Sequence, residues 1–328
     1  MDYSHQLKKL PPKFDVLIPF LKFEKELESE LLLQNKTIYF KNEKIIVVES
    51  LSCKPIWSQD WWPLCEQIAV ESRSQLVQYL KSQKNLGVYH QSAISPLADS
   101  IRRDLRELKL KRIEYQVPSS FNFKYFAWTL IENHTLVICK TPISQFPLGW
   151  HEFNEDKQMP PNRAYLKVWE VLCLSYIQLK PDDVAIDLGS SPGGWSWALS
   201  QQIKKVYSVD KAELDPKIMQ NKNILFKSDD AFKVNPKNYS DCTWLFSDII
   251  CTPKRLFELV NYWQQNSNVK NFVCTIKFKG ACDFDIMKEF LKIENSKIIH
   301  LYQNKNEVTW IKNQSIISTN QLSQRKEI

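Results

Sequence analysis

The spacing of apolar and polar positions changes character near the middle of the chain. From residue 183 onward, short apolar runs recur at regular intervals. They read as strands at 184–188, 206–209, 223–226, 243–247, 271–277, 297–302 and 307–311. Between them lie helical patterns at 194–203, 254–265 and 284–292, and residues 164–176 form a helix before the first strand. Strands alternating with helices predict an α/β fold with a largely parallel sheet. Ligands of such sheets sit beyond the carboxyl ends of the strands.

The first 140 residues lack this alternation. Residues 16–33 read as apolar and charged by turns, helical at their end. Thr37-Ile-Tyr-Phe and Ile45-Ile-Val-Val, flanking Lys41-Asn-Glu-Lys, predict a β-hairpin. Residues 63–83 and 96–112 read as helices, and 121–131 and 134–140 as strands. This is an α+β pattern. Residues 141–163 are Pro-rich and aperiodic. The organisation expected is an amino-terminal domain over 1–145, a linker over 146–163 and an α/β domain over 164–328.

Composition narrows the picture little. Of 328 residues, 43% are hydrophobic and 12% aromatic, enough for full cores. The net charge of +7 suits an anionic partner without a polybasic tail. Eight cysteines are scattered with no C-x-x-C pair, and five histidines are dispersed. Reduced thiols, a cytoplasmic location and no metal site are expected. There is no signal-peptide pattern at the start, and no apolar stretch approaches the ~20 residues of a membrane span. The segment Ile101–Arg112 holds six basic residues against two acidic ones. It reads as a solvated helix face or as a footprint for RNA phosphates. Trp57, Trp61 and Trp62 read as core, or as stacking platforms for bases.

The chemistry concentrates after residue 183. The run Val184–Leu188 ends in Gly189, followed by Ser190-Ser191-Pro192-Gly193-Gly194, a helix from Trp195 and a second strand closed by Asp210. An acid about 20 residues beyond a glycine turn is the layout of a nucleotide-binding βαβ unit. Glycines let backbone approach a ligand closely. Asp210 can accept from two ribose hydroxyls. The dinucleotide and P-loop fingerprints are both absent, so nothing here is built for a pyrophosphate.

Asp187, Asp210, Asp230, Asp248 and Lys277 all fall at or just past strand ends. Lys277 closes one core strand, Asp248 another, and Glu307 opens a third; Lys167 lies on the preceding helix. A lysine beside two carboxylates and a second lysine can serve as a general base if desolvation and the like charge keep its amine neutral. The same four residues also read as two ordinary salt bridges.

Asp187-Leu-Gly-Ser-Ser-Pro-Gly-Gly-Trp195 resembles the S-adenosylmethionine loop of the FtsJ/RrmJ-type ribose 2′-O-methyltransferases. The likeness continues through Arg163–Lys167, Val206–Asp210, Ser228–Phe232, Trp244–Asp248, Thr275–Lys277 and Leu301–Thr309. Order and spacing are similar to the RlmM-like branch, bacterial enzymes acting on a cytidine ribose of 23S rRNA, over about residues 145–312. The resemblance implies a Rossmann-like methyltransferase domain. It also implies a ferredoxin-like and THUMP-like RNA-binding domain in front of it. S-adenosyl-L-methionine is the implied cofactor. Lys277 would be the base, with Lys167, Asp248 and Glu307 completing a tetrad. Asp187, Gly189, Ser191, Pro192, Gly193, Gly194 and Trp195 would line the cofactor site. Asp210 would take the adenosine ribose, Asp230 the adenine amino group, and Asp248 would lie near the sulfonium. Ala164 stands where the branch has serine.

The partner implied is RNA, with 23S rRNA foremost. The same chemistry on tRNA or an mRNA cap, or a non-catalytic assembly factor that keeps the fold, are the competing readings.

Overall fold

A computed structural model describes residues 10–69, 72–115, 124–131 and 135–313. They form two compact units. One draws on Met1–Arg112 and Ser120–Glu152, the other on Ile113–Ser119 and Phe153–Ile328. The division at Glu152/Phe153 falls inside the stretch expected as a linker. Phe146 and His151 are buried in the first unit and Phe153 in the second. Isolated apolar anchors without a period gave no sign of this in the sequence. Ile113 bridges Phe153 within the second unit.

The first unit runs β1 (Phe14–Pro19), α1 (Glu24–Leu33), β2 (Ile38–Lys41), β3 (Ile46–Val48), β4 (Ser58–Ala69), α2 (Arg73–Lys81), β5 (Leu86–Tyr89), α3 (Pro96–Arg103), β6 (Tyr125–Ile131) and β7 (Thr135–Cys139). Its strands form one sheet in the order β2-β3-β1-β4-β7-β6-β5. The expected hairpin is β2 and β3, paired antiparallel.

Two expected helices are corrected. Residues 63–69 belong to the long strand β4, which pairs with β1 and then with β7. Pairing on both sides outweighs local helix preference. The helix starts only at Arg73, where the Ser72 hydroxyl accepts from the Gln75 amide. In 96–112, helix ends at Arg103. Leu108 then donates its amide to the Gly87 carbonyl at 3.0 Å and packs into the sheet's core, which pulls 105–108 alongside β5. The basic residues of 104–112 therefore lie on an irregular segment and not on a helix face. Trp57 and Trp62 are fully buried and Trp61 is 9% exposed. The indole of Trp61 donates to Asp15, and that of Trp62 to Asp60. The tryptophan cluster is core, not a stacking surface.

The second unit runs α4 (Tyr165–Cys173), β8 (Val184–Leu188), α5 (Gly194–Ser200), β9 (Lys205–Asp210), α6 (Pro216–Met219), β10 (Ile224–Ser228), β11 (Trp244–Ser247), α7 (Pro253–Asn266), β12 (Asn271–Lys277), α8 (Phe284–Lys292), β13 (Ser296–Ile299) and β14 (Glu307–Lys312). The sheet order is β10-β9-β8-β11-β12-β14-β13. β10, β9, β8, β11 and β12 run parallel to one another, while β14 runs antiparallel to β12 and β13. β8 is buried throughout, as expected of a strand covered on both faces. The strand order reverses at β8, between β9 and β11, and this is where a parallel sheet opens a crevice.

Candidate active site

The glycine turn joins β8 to α5 at that crevice. Gly193 has φ +111°, a conformation L side chains rarely adopt. Gly194 has no room for a Cβ, which would lie 2.2 Å from Asn162 Oδ1. Asn162 Oδ1 accepts from the Ala164 amide at 3.1 Å. Asn162 thus serves the start of α4, where Ala164 offers no hydroxyl. Trp195 is buried with its ring 6.2 Å from Phe246.

The acids at the strand ends are organised by backbone amides. Asp210 accepts from Ser191 N and Ala212 N, each at 3.0 Å. It is therefore held against the glycine turn, with acceptor capacity to spare. β10 pairs with β9 so that Ser228 lies opposite Asp210. Asp230 follows two residues later. Asp230 accepts from Phe232 N and forms an ion pair with Lys211 at 3.0 Å. Lys211 holds the Asp230 carboxyl below the usual range.

Asp187 differs from both. It is 1% exposed, and burial, aided by Asp248 and Asp210, raises its pKa to about 7 against the Ser196 hydrogen bond. Its Oδ2 accepts from the Ser196 hydroxyl at 2.6 Å, and Ser196 also meets the Ser208 hydroxyl at 2.6 Å. Its Oδ1 has no hydrogen-bond partner among the described residues. A buried, unsatisfied carboxyl oxygen at a strand end is unusual in a finished core and fits a cationic or N–H-bearing ligand.

The four residues from α4, β11, β12 and β14 converge. Lys167 Nζ lies 3.0 Å from Asp248 Oδ2 and 2.5 Å from Glu307 Oε1. Lys277 Nζ lies 2.9 Å from Asp248 Oδ1 and 3.8 Å from Glu307 Oε2. Charges alternate around a closed ring. The two lysines are not equivalent. The Lys167 side chain is 9% exposed, that of Lys277 22%. Burial works against the Lys167 cation, but Asp248 and Glu307 outweigh it and raise its pKa. Lys167 is a fixed cation, and Lys277 is the member open to an incoming group.

Sequence reasoning missed one supporting residue. Glu170 is 2% exposed on α4, one turn after Lys167. It accepts from Tyr302 N at 2.8 Å and from Gln303 N at 3.1 Å. Those amides belong to the segment that leads into Glu307, so one helix holds both the Lys167 ammonium and the approach to its partner. The available signal was an acid within the apolar helix Tyr-Leu-Lys-Val-Trp-Glu-Val-Leu-Cys. Among the described residues, no group of three or more His, Cys, Asp and Glu is placed to hold a metal. No helix among them is long and apolar enough to cross a membrane.

Residues 161–305 match the family described as FtsJ-like methyltransferase. Among curated proteins, the chain is 31% identical over 172 residues to Ribosomal RNA large subunit methyltransferase M of Saccharophagus degradans, covering 49% of this chain and 44% of that one. The proteins of the same name from Pseudoalteromonas atlantica and Haemophilus influenzae are 28% and 24% identical. They cover 51% and 57% of this chain and 51% and 54% of their own. The chain thus spans about half the length of the curated relatives it matches. The matched region is similar to an FtsJ-like methyltransferase domain and has a Rossmann-like fold, and domains of that family use S-adenosylmethionine.

Proposed function

We propose that this chain is an S-adenosylmethionine-dependent ribose 2′-O-methyltransferase acting in the cytoplasm on ribosomal RNA, with 23S rRNA the leading candidate and a cytidine ribose the acceptor. The observation that carries the reading is the closed ring of Lys167, Asp248, Lys277 and Glu307 beside the glycine turn. The names of the curated relatives support the RNA class.

The residues fit the cofactor. The glycine turn from Gly189 to Gly194 offers close backbone approach, Asp210 stands ready for vicinal hydroxyls, and the orphan oxygen of Asp187 suits an N–H or cationic group. Asp230 is the acceptor for the adenine amino group once Lys211 moves aside. When bound, S-adenosylmethionine supplies a methyl group already activated on a sulfonium. The protein's part is to hold a ribose hydroxyl in line and to take its proton. Lys277 is the base, since its amine is the accessible one. Lys167 stays protonated and holds Asp248 and Glu307 in place. The two carboxylates orient the Lys277 amine and stabilise the ammonium formed when it accepts the proton. The first unit is the RNA-binding part of the protein.

A transfer assay with methyl-labelled S-adenosylmethionine, 23S rRNA transcript, total RNA and a Lys277→Ala control tests this. Alkali-resistant 2′-O-methyl label in rRNA, lost in the control, is the expected result. Tight cofactor binding with no label in any RNA would sink the reading.

A further inference from the structure

The first unit carries a set of exposed, unpaired positive charges at the end of α2 and on the segment around and after the end of α3. Lys81, Lys84, Arg103, Arg106, Lys109 and Lys111 are all exposed, and none lies within 4.0 Å of a carboxylate among the described residues. Their neighbours are satisfied. Arg102 is held by Glu107 at 2.9 Å, and Arg112 by Glu152 at 3.3 Å. Asp104 is bound by Arg73. A cavity of about 480 Å³ opens among these cations, between the end of α2, β5 and the irregular segment after α3. Lys81, Lys84 and Arg106 line it, with Asp104 the single carboxylate of the lining, already neutralised by Arg73 from outside it. Gly87 forms the floor, where a Cβ would lie 2.6 Å from the Phe126 ring. Leu86, 43% exposed, stands in the lining as an apolar surface.

The chemistry of this groove fits one class of ligand. A small phosphate ester is held by donors that converge on a point and exclude water. Here Lys81, Lys84 and Arg106 line the groove as solvated cations, and Arg103, Lys109 and Lys111 lie on the chain beside it. That arrangement suits a polyanion with evenly repeated charge, and exposed Lys and Arg along one face are the usual footprint of a nucleic-acid backbone. The exposed leucine offers a face to a ribose or base edge. We infer that the Lys81–Lys84–Arg106 groove binds the phosphodiester backbone of the RNA substrate, with Arg103, Lys109 and Lys111 extending the track. The identity of the polyanion rests on the methyltransferase reading above; the groove itself does not.

The test is a Lys84→Glu/Arg106→Glu variant of the full chain, beside a Lys84→Gln/Arg106→Gln variant. Filter binding to 23S rRNA transcript is measured from low to physiological salt, with cofactor affinity and thermal melting alongside. The expected result is a loss of at least tenfold in RNA affinity for the charge reversal and a smaller loss for the glutamines. The slope of log K against log salt should fall by roughly 0.7–0.9 for each phosphate contact removed. Cofactor affinity and melting should not move. Unchanged affinity and slope would overturn the groove, even where the wild-type protein labels rRNA. Salt-dependent binding that the variant loses, with no methyl transfer by the wild type, would uphold the groove and overturn the proposed activity. No wild-type affinity for RNA at any salt would overturn both.

Discussion

Lys277 and Glu307 lie directly opposite each other at the end of the β12–β14 ladder, yet they are not each other's nearest ionic partners. Glu307 reaches 2.5 Å to Lys167 and leaves Lys277 at 3.8 Å, while Lys277 turns to Asp248 at 2.9 Å. The sheet register brings the pair together, and Lys167 on α4 draws the glutamate away. The consequence is a division of labour. Lys277→Ala removes the accessible amine and leaves Lys167 bound to both carboxylates. It should fold, keep cofactor affinity within a few fold and lose methyl transfer. Lys167→Ala leaves the buried Glu307 and the half-buried Asp248 with only Lys277 to offset them, 3.8 Å from Glu307, and should also cost stability, on the order of 3 kcal/mol. Melting curves and transfer rates of the two variants check this. Equal loss of stability in both would contradict the division.

Glu170 should act through Glu307. Two amides of the segment before β14 end on its carboxylate, so Glu170→Ala frees both, at a cost of about 1–3 kcal/mol. Turnover should fall about tenfold or more with the cofactor dissociation constant unchanged, and Glu170→Gln should restore part of it. An alanine variant with normal kcat would show that Glu307 holds its position without this support.

Asp210 is bound to two backbone amides of the loops around it, which orients its remaining lone pairs. Asp210→Ala should weaken cofactor binding by about 2–3 kcal/mol, since a charged acceptor is lost. Part of the effect should come from the Ser191 amide, left without its partner. Calorimetric titration measures it, and unchanged affinity would remove Asp210 from the cofactor site.

The first unit should be acid-labile. Burial lowers the pKa of His90 to about 4 and that of His151 to about 3. Both are depressed below the unfolded value of about 6.5, so the unfolded chain binds protons that the native chain refuses. Their contribution is present above about pH 6.5 and is lost as pH falls toward 4. A His151→Gln variant should flatten the decline of stability over this window, read by denaturant unfolding at stepped pH. An unaltered pH dependence would mean that His151 is protonated in the native state.

Much of the second unit was legible because its signals are local. An apolar run of five residues ending in glycine, with an acid after the next run, specifies strand, turn and strand wherever it occurs. Seven short apolar runs gave the seven strands of that sheet to within a few residues. The first unit was harder because its elements depend on distant partners. Residues 63–69 are strand only because β1 and β7 border them, and Leu105 and Leu108 leave the helix pattern only because β5 offers an edge. Glu170 was invisible for a related reason. Its partners are backbone amides more than 130 residues away, and amides carry no residue identity.

Asp187 links the cofactor site to pH. Burial and the neighbouring Asp248 and Asp210 raise its pKa to about 7, from 3.8. For a group raised in the folded state, the stabilising contribution is complete below the unfolded pKa and disappears as pH rises through the folded one. The cofactor-free protein should therefore lose stability between about pH 4 and 7 at this site, and Asp187→Asn should remove that loss. The asparagine oxygen can still accept from Ser196, so the variant should fold. A cation arriving beside the unpartnered Oδ1 would favour the carboxylate and expel its proton. Cofactor affinity should then rise with pH up to about 7 and level off above it. Titration at pH 6.5 in two buffers of different ionisation enthalpy should show up to about one proton released by the wild type and close to none by Asp187→Asn. Equal heats in both buffers for the wild type would mean that Asp187 does not face the bound cofactor.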